Sequence, residues 1–434
     1  MSVYPRNLSA FLNRLSGYNK NNVKMNVLGS ATARPGDTIQ VDLPTNSIVD
    51  LNSLAWSFHV AYPDPAHGDG TSVPGHAEAH ISRLTVEVNG QTLVNLNNYN
   101  TLFHALLYMS ATDDYIRQRL VTTGDGSATV IANAATLDRD YVIDTWLGFL
   151  GTAKPQFIDT SLLGNVRITL TLAQGPDVVM GTANSVAART YTISDQYFSC
   201  DVVSISDGIY DSMIDQRLAS GAPIEVPFKN YFSFTSTPAT MAQQFNFHVA
   251  SQSIDRLWAV PRASSYNAAS IAGAGGALSA GLAVATAGPQ HPIIATDQAS
   301  FRFASCGGQD FQWQINNTLY PNWTSRKAQD WFQHTKLALG DQGNMLSGSY
   351  PMGHQNYTDH FFVLAQSLEH RTDGDERFMS GVDTRGAAAS CYFRSTAGHA
   401  AAALAAGDHV FQVVFAECTS SLKIHPNKVL EIIQ

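Results

Sequence analysis

The chain has 434 residues, of which 14% are charged, and its formal net charge at pH 7 is −9. This length favours two domains over a single core, and the acidic balance argues against a basic footprint for nucleic acid over the whole surface. Soluble domains typically carry about 25% charged residues, and interface cores are depleted of charge. The low charge content therefore predicts that surface is buried against other subunits, with a monomer rich in surface Ser, Asn, Thr and Gln as the alternative.

Residues 1–36 are predicted to form a basic N-terminal arm, because no acidic residue precedes Asp37. The basic residues of this arm are Arg6, Arg14, Lys20, Lys24 and Arg34. Within it, residues 7–16 place apolar side chains at helical spacing, which predicts an amphipathic helix. These apolar side chains are Leu8, Phe11, Leu12 and Leu15.

The sequence predicts a protein that is neither exported by a signal peptide nor anchored by a membrane helix. Arg6 and Arg14 bracket a stretch that is too short and too polar for a secretory signal. No run of about 18 apolar residues occurs. The cysteines at 200, 306, 391 and 418 are far apart and lack C-x-x-C spacing. We therefore expect them to be buried, reduced thiols.

Alternation of apolar and polar residues is the dominant pattern along the chain, and it predicts half-buried strands. In residues 54–62, every second side chain from Leu54 to Tyr62 is apolar and bulky, and the residues between them are small or polar. The same alternation occurs at 166–172, 245–249, 311–315 and 411–415. Asn89-Gly90 lies between two alternating arms, which is typical of a two-residue hairpin turn.

The pattern occurs twice. A strand at 54–62, a hairpin around Asn89 and a helix at 99–109 are matched later by a strand at 254–260, a turn around Asn316 and a helix at 326–339. A further helix is predicted between the copies, where Ser-Gly at 220–221 and the prolines after it are a stop signal. The sequence thus predicts one sandwich over residues 37–221 and a second over residues 222–434.

Each half contains a long insertion directly after its Trp-bearing strand. Residues 63–80 are rich in Pro, Gly and His, and residues 264–288 are rich in Ala and Gly, with no charge between Arg262 and Asp297. A disordered linker is normally polar and charged, so we expect these insertions to pack against a neighbouring subunit, with flexible surface loops as the alternative. The candidate contact residues are Ala272, Gly275, Gly276, Leu278, Gly281, His67 and Asp69.

No catalytic, cofactor or metal site is predicted. G-x-S-x-G, H-E-x-x-H, the P-loop and G-x-G-x-x-G are all missing from the sequence. His76, Glu78 and His80 would share one side of a strand, but they fall in a Gly/Pro-rich stretch. A surface or lattice contact is therefore expected there rather than a zinc site. The acid pairs at 113–114 and 373–375 are interpreted as solvated turn residues.

The order of these parts resembles the double jelly-roll major capsid proteins of tailless icosahedral double-stranded DNA viruses, the lineage of adenovirus hexons, virophages and polinton-like viruses. The stretches that carry the resemblance are residues 197–207, 224–234 and 251–258. The resemblance implies an all-β fold of two tandem eight-stranded antiparallel jelly-roll sandwiches with a few short helices. It also implies a structural function: homotrimers that form pseudo-hexagonal capsomers and tile an icosahedral shell.

Roles for the arm and the insertions follow from the same resemblance. The insertions would project outward as towers and interlock around the trimer axis. The arm, through Arg6, Leu8, Phe11, Leu12, Arg14, Leu15, Lys20 and Lys24, would lie on the inner face against a membrane, the genome or a minor capsid protein. Penton proteins and neighbouring trimers are the other expected partners, with no small-molecule substrate. The protein would be made in the host cytoplasm or nucleus and reside in the virion. The alternative function is a secreted carbohydrate-binding or glycan-cleaving double β-sandwich.

Overall fold

The structure is a computed structural model in which strands dominate and helices are few and short. It describes residues 18–62, 71–72, 76–110, 118–119, 121–123, 130–131, 137–178, 190–205, 209–236, 242–263, 303, 308–339, 357–358, 362–370, 380–386, 389–395, 410–426 and 429–434. None of the helices in these ranges is long and apolar enough to cross a membrane.

The first half of the chain folds into a sandwich of two antiparallel sheets. Its strands are β1 (Tyr18–Asn26), β2 (Thr38–Asp42), β3 (Ile48–Tyr62), β4 (Thr71–Ser72), β5 (Ile81–Val88), β6 (Gln91–Asn97), β7 (Val130–Ile131), β8 (Leu137–Ile143), β9 (Phe157–Asp159), β10 (Val166–Leu172) and β11 (Thr192–Ile205). One sheet has the order β1-β11-β3-β8, with β9 also paired to β3, and the other has the order β2-β10-β5-β6. Strands β4 and β7 form a separate two-stranded ribbon.

The second half repeats this architecture. Its strands are β12 (Ile224–Ser236), β13 (Ala242–Phe247), β14 (Ile254–Ala263), β15 (Gly308–Ile315), β16 (Thr318–Ser325), β17 (Leu364–Ser367), β18 (Ala389–Ser395), β19 (Val410–Ile424) and β20 (Leu430–Ile433). One sheet has the order β12-β19-β14-β17, with β20 also paired to β19, and the other has the order β13-β18-β15-β16.

The two sandwiches have identical strand orders when β1, β2, β3, β5, β6, β8, β10 and β11 are matched in turn with β12 to β19. A cross-strand pair of aromatic residues marks the same place in both, Trp56 opposite Phe198 and Trp258 opposite Phe415. The prediction of two tandem eight-stranded antiparallel jelly rolls is therefore confirmed. Among the described residues, one short additional strand pairs with a sheet of each sandwich, β9 in the first and β20 in the second, and the first half also has the β4–β7 ribbon.

Alternation of side chains explains why these segments are strands. On β3, Leu54, Trp56, Phe58, Val60 and Tyr62 are all buried, and the residues between them are partly exposed. This is the period of two that places alternate side chains on opposite faces of a sheet. Strands β10 and β15 repeat the pattern. The apolar faces assemble into a buried core that includes residues of both sandwiches.

Two hairpin turns depend on residues that tolerate positive φ. Asn89 and Gly90, between β5 and β6, have φ of 49° and 79°. The equivalent turn between β15 and β16 has Asn316 at φ 52°. Asparagine and glycine are the residues that adopt this left-handed conformation at low cost. The hairpin predicted at Asn89-Gly90 is confirmed.

Three of the four predicted helices, those at 99–109, between the copies and at 326–339, are present with slightly different bounds. The described helices are α1 (Tyr99–Ser110), α2 (Phe149–Thr152), α3 (Thr160–Leu163), α4 (Gly175–Val178), α5 (Ile209–Ala219), α6 (Ala328–Leu339) and a short 3-10 helix (Ala77–His80). Helices α1 and α6 follow the equivalent strands β6 and β16, as the repeat predicted. Helix α5 lies between the last strand of the first sandwich and the first strand of the second, just before residue 222. Two of the cysteines, Cys200 and Cys418, are buried free thiols, as expected.

Connections between strands alternate between the two ends of each sandwich, because paired strands are antiparallel. At one end, which we name the base, Asn89 N–H donates to Asn165 O at 2.7 Å. The base also holds the start of β1, since Tyr18 lies opposite Ile205 at the end of β11. At the other end, which we name the loop end, Ala173 N–H donates to His80 O at 2.8 Å. Strands β3 and β14, which precede the two insertions, end at the loop end, and strands β5 and β15, which follow them, begin there.

One boundary predicted from the sequence is wrong. The basic arm was expected to extend to residue 36, but residues 18–26 form strand β1, which pairs with β11 along its whole length. Lys20 and Lys24 therefore belong to the first sandwich. The amphipathic segment 7–16 lies outside the described residues.

Truncation of a core aromatic residue should destabilise the first sandwich strongly. Phe58 is 2% exposed, so Phe58→Ala should lower the free energy of unfolding by about 3–5 kcal/mol through lost burial and a residual cavity. Phe157→Ala is the matched control, because Phe157 is 47% exposed, and it should cost less than about 1.5 kcal/mol. Denaturant unfolding of both variants measures the difference. Equal costs would contradict the assignment of Phe58 to the core.

Candidate assembly surfaces and buried polar networks

The two sandwiches of the chain contact each other through strand β12 of the second and strand β6 with helix α2 of the first. Backbone groups bond across this interface, with Lys154 N–H donating to Pro227 O at 2.9 Å and Lys229 N–H donating to Thr152 Oγ1 at 2.9 Å. The rings of Phe149 and Phe228 meet edge to face at 5.3 Å. Two edge strands are thereby covered, which removes exposed strand edges from the middle of the molecule.

Asparagine side chains extend the same interface towards the loop end. Asn98 Nδ2 donates to Ser233 Oγ at 3.0 Å, and Asn230, which is 1% exposed, donates to Leu93 O at 3.5 Å. A buried amide must find partners, so it fixes the position of β12 against β6 more narrowly than apolar packing does. The interface between the sandwiches is thus specific.

The equivalent edges at the outer sides of the molecule are exposed. Strand β16 is the counterpart of β6, and it presents Leu319 and Trp323 with 39% and 47% of their surfaces exposed. Leu337 on the adjacent helix α6 is 59% exposed. Strand β1, the counterpart of β12, is polar and mostly exposed. The edge that is covered in the first sandwich is open in the second.

A buried polar cluster lies at the loop end of the first sandwich, where a surface contact was expected. His76, Glu78 and His80 are 4%, 0% and 0% exposed, so the predicted surface or lattice role is wrong for them. The 3-10 helix turns these side chains inward rather than along one side of a strand. His76 Nε2 lies 2.9 Å from His104 Nδ1 on α1. Glu78 forms an ion pair with Arg119.

The electrostatics of this cluster are set by burial and by Arg119. Burial opposes the charge of Glu78, but Arg119 and His76 outweigh it and hold the pKa of the Glu78 carboxyl below its ordinary value. Burial lowers the pKa of His80 to about 4. His80 Nδ1 donates to Ala77 O at 2.8 Å, and its Nε2 accepts from the Tyr62 hydroxyl at 2.8 Å. Both ring nitrogens are satisfied by the neutral imidazole.

A second buried network connects three strands of the second sandwich. Lys229 Nζ on β12 contacts Asp255 Oδ2 on β14 at 2.7 Å and Glu369 Oε1 at 2.8 Å. Arg256 pairs with Glu369 at 3.2 Å and with Glu417 on β19 at 3.4 Å. Three carboxylates therefore meet two cations in a buried position. Within the part of the chain that the structure describes, neither network groups His, Cys, Asp or Glu side chains in a way that would hold a metal ion.

Most of the site residues predicted from the sequence lie outside the described ranges. These are Arg6, Leu8, Phe11, Leu12, Arg14 and Leu15 of the arm, and Ala272, Gly275, Gly276, Leu278, Gly281, His67 and Asp69 of the insertions. Lys20 and Lys24 are described. Lys20 pairs with Asp201 at 2.8 Å and Asp50 at 3.2 Å, and Lys24 lies over the Tyr197 ring at 4.1 Å. The charge of Lys20 is thus already paired within the sheet.

The sequence reasoning missed the network around Lys229. A signal was present, since Lys229, Asp255 and Glu417 lie in strands that also carry large apolar residues such as Phe228, Trp258 and Phe415. A charge in such a strand indicates a paired, buried ion. The partners could not be identified, because 188 residues separate Lys229 from Glu417 in the numbering and only the sheet brings them together.

The fold and these surfaces define a double jelly-roll protein. No protein-family model matches the sequence, and no curated protein matches it. Among solved structures, the chain is similar to VP54 of the virus PBCV-1, fitted into a reconstruction of the virophage Sputnik, with a TM-score of 0.64 and 14% identity over 98% of each chain. It is also similar to the Faustovirus major capsid protein, with a TM-score of 0.60 and 9% identity over 96% of this chain and 92% of that one. The resemblance noted from the sequence is confirmed at the level of the fold.

Stability should fall on acidification because of His80. Its pKa in the folded state is about 4, below the ordinary value of 6.5. The unfolded chain therefore binds this proton first as the pH falls, so the stabilisation is complete above about pH 6.5 and is lost towards pH 4. The free energy of unfolding should be lower by about 2 kcal/mol near pH 5 than at neutral pH. Denaturant unfolding at pH 7.5 and pH 5 measures it.

Two variants isolate the contribution of His80 to this pH dependence. In His80→Gln, the loss of unfolding free energy between pH 7.5 and pH 5 should be smaller by about 2 kcal/mol. His59→Gln removes a partly exposed histidine paired with Asp140, and it should not reduce that loss. An unchanged pH dependence in His80→Gln would contradict the assignment.

Proposed function

We propose that this chain is the major capsid protein of an icosahedral DNA virus, with a structural function and no catalysis. The observation that carries the proposal is the duplicated sandwich whose inner edge, β6, is covered by β12, whereas the equivalent edge, β16, is exposed. The fold shared with the Faustovirus major capsid protein supports it. The protein would act by self-association and would reside in the virion.

Repetition of the intrachain contact between copies generates a closed ring. Strand β16 of one chain would pack against β1 of the next in the way that β6 packs against β12 within the chain. Such a head-to-tail contact closes when the rotation between sandwiches divides a full turn. Two sandwiches per chain and three chains give six sandwiches around one axis. The resulting homotrimer has a nearly hexagonal outline and fills a hexagonal lattice.

The direction of the strands supports a location of the arm and the insertions at opposite ends of the molecule. The strands that precede the two insertions end at the loop end, and β1 begins at the base with Tyr18. We propose that the loop end forms the outer towers and that the base faces the interior. Arg6 and Arg14 would then contact an internal membrane, the genome or a minor capsid protein. Penton and minor proteins would complete the shell.

A charge at the exposed β16 edge should weaken the trimer. Trp323→Asp introduces a desolvated carboxylate into the proposed contact, and the association free energy should drop by about 2 kcal/mol or more. Met213→Asp is the matched control, because Met213 is 64% exposed on α5 at the base. Native mass and sedimentation across a concentration series measure the trimer. A monomeric wild-type chain, or equal effects of the two variants, would contradict the proposal.

Deletion of residues 1–17 should separate capsomer formation from shell closure. The deletion spares β1, so folding and trimer formation should be unchanged, and closed shells should fail to form because contacts on the inner face are lost. Native mass reports the trimer, and negative-stain imaging reports the shells. A full-length chain with Arg6→Gln and Arg14→Gln tests whether charge alone carries the effect. Closed shells from the deletion would remove this role of the arm.

A further inference from the structure

The buried network of the second sandwich holds a lysine and an aspartate in direct contact. Lys229 Nζ lies 2.7 Å from Asp255 Oδ2, and the two side chains are 9% and 0% exposed. We propose that they condense to an intramolecular amide, an isopeptide bond between β12 and β14 of the second sandwich. This inference does not depend on the proposed function, because it concerns the chemistry of a single folded chain.

A β-bulge directs the Asp255 carboxylate at the lysine. Ile254 lies opposite Cys418 and Arg256 lies opposite Glu417, so Asp255 is the additional residue of the bulge between them. Bulges re-aim side chains in this way and are frequent next to reactive sites. Lys229 reaches the same place from β12, where it lies opposite Thr419 on β19. The two reactants therefore meet across the intervening strand.

The backbone near Asp255 makes room for this arrangement. A Cβ atom on Gly381 would lie 2.2 Å from Ile254 O and 2.6 Å from Asp255 Oδ1, so only glycine fits there. Gly381 N–H donates to Ser253 Oγ at 2.8 Å. The Ser253 hydroxyl in turn donates to Asp255 Oδ1 at 2.7 Å. The carboxylate is held by contacts on both of its oxygens.

Neighbouring groups supply the proton transfers of the reaction. Glu369 Oε1, at 2.8 Å from Lys229 Nζ, accepts a proton and frees the amine to attack the Asp255 carboxyl carbon. The negative oxygen of the tetrahedral intermediate is Oδ1, which the Ser253 hydroxyl stabilises. Thr419 Oγ1 accepts from Lys229 Nζ at 3.2 Å and donates to Asp255 Oδ2 at 2.6 Å. It relays two protons from the nitrogen to Oδ2, the proton held by Glu369 returning through the nitrogen, and Oδ2 leaves as water. Donors held on the reacting oxygen before the reaction lower its barrier.

The atoms and charges balance without any further reactant. An ammonium and a carboxylate become an amide and one water molecule, with a new C–N bond in place of a C–O bond. Of the three ammonium protons, one stays on the amide nitrogen and two leave with Oδ2. No electron is transferred. Fixed positioning of the reactants, worth effective concentrations on the order of 10⁵ M or more, drives a condensation that is unfavourable between free molecules.

Electrostatics give the reaction a driving force and a pH dependence. Amide formation removes one positive and one negative charge from a buried site where charges are costly. Burial opposes the ammonium form of Lys229, but Glu417 and Asp255 outweigh it and raise the pKa of Lys229. Burial raises the pKa of the Glu417 carboxyl. The free amine is the minor form at neutral pH, so the reaction is slow there and faster at alkaline pH.

Intact mass spectrometry of the full chain tests the bond. The chain, incubated at neutral pH and at about pH 9 and then denatured, should have a mass lower by one water molecule than its sequence requires. Proteolysis should yield a branched peptide that joins the segments around Lys229 and Asp255. A wild-type chain with its full sequence mass after the alkaline incubation would overturn the proposal, and the two residues would be an ion pair only.

Variants distinguish this bond from dehydration elsewhere. Lys229→Met and Asp255→Ala should each restore the full mass. Lys423→Met is the matched control, because Lys423 forms a more exposed ion pair with Glu225 at 2.9 Å, and it should keep the loss of water. Glu369→Gln should slow the reaction by about 100-fold or more, as expected for the loss of a general base. If Lys229→Met still had a mass lower by one water molecule, the proposal would also be overturned. This result can be interpreted whether or not the variant folds correctly.

Discussion

The contact between β6 and β12 is the constraint on which the architecture depends. An exposed strand edge invites pairing with other chains, and a duplicated sandwich has two equivalent sets of edges. One set is covered within the chain by backbone bonds and by the buried Asn230 amide. The other remains exposed at β16, where Trp323 and Leu319 are found. Under the proposed function, this exposed edge would repeat between copies the contact that β6 makes with β12 within the chain.

Each sandwich contains buried charges, which carry a cost in desolvation. The pair of Glu78 and Arg119 lies at the loop end of the first sandwich, and the network around Lys229 lies within the second. Such groups contribute little net stability, but removal of one partner is strongly destabilising. In the second sandwich the network links strands β12, β14 and β19. An amide between Lys229 and Asp255 would make part of that link covalent, in the strand that contacts the first sandwich.

Periodicity in the sequence predicted much of the fold, and local chemistry predicted its turns. The alternation around Trp56 indicated a buried strand, and Asn89-Gly90 indicated a hairpin with positive φ. Two predictions from the local sequence were wrong, because tertiary contacts decided the structure of those residues. Residues 18–26 are a strand because β11 offers a pairing edge. His76 and His80 are buried because the 3-10 helix turns them away from solvent.

The sequence by itself determined the strands, the duplication and the class of fold, because these depend on side-chain periodicity that neighbouring residues already express. Only the tertiary structure decided which edges are covered, which charges meet and which end of the sandwich carries the insertions. Those outcomes depend on contacts between residues far apart in the chain. Lys229, Asp255 and Glu417 come from three separate strands, and their distances are set by sheet order and by a bulge. Pairing across a sheet leaves no local pattern that a sequence alone would reveal.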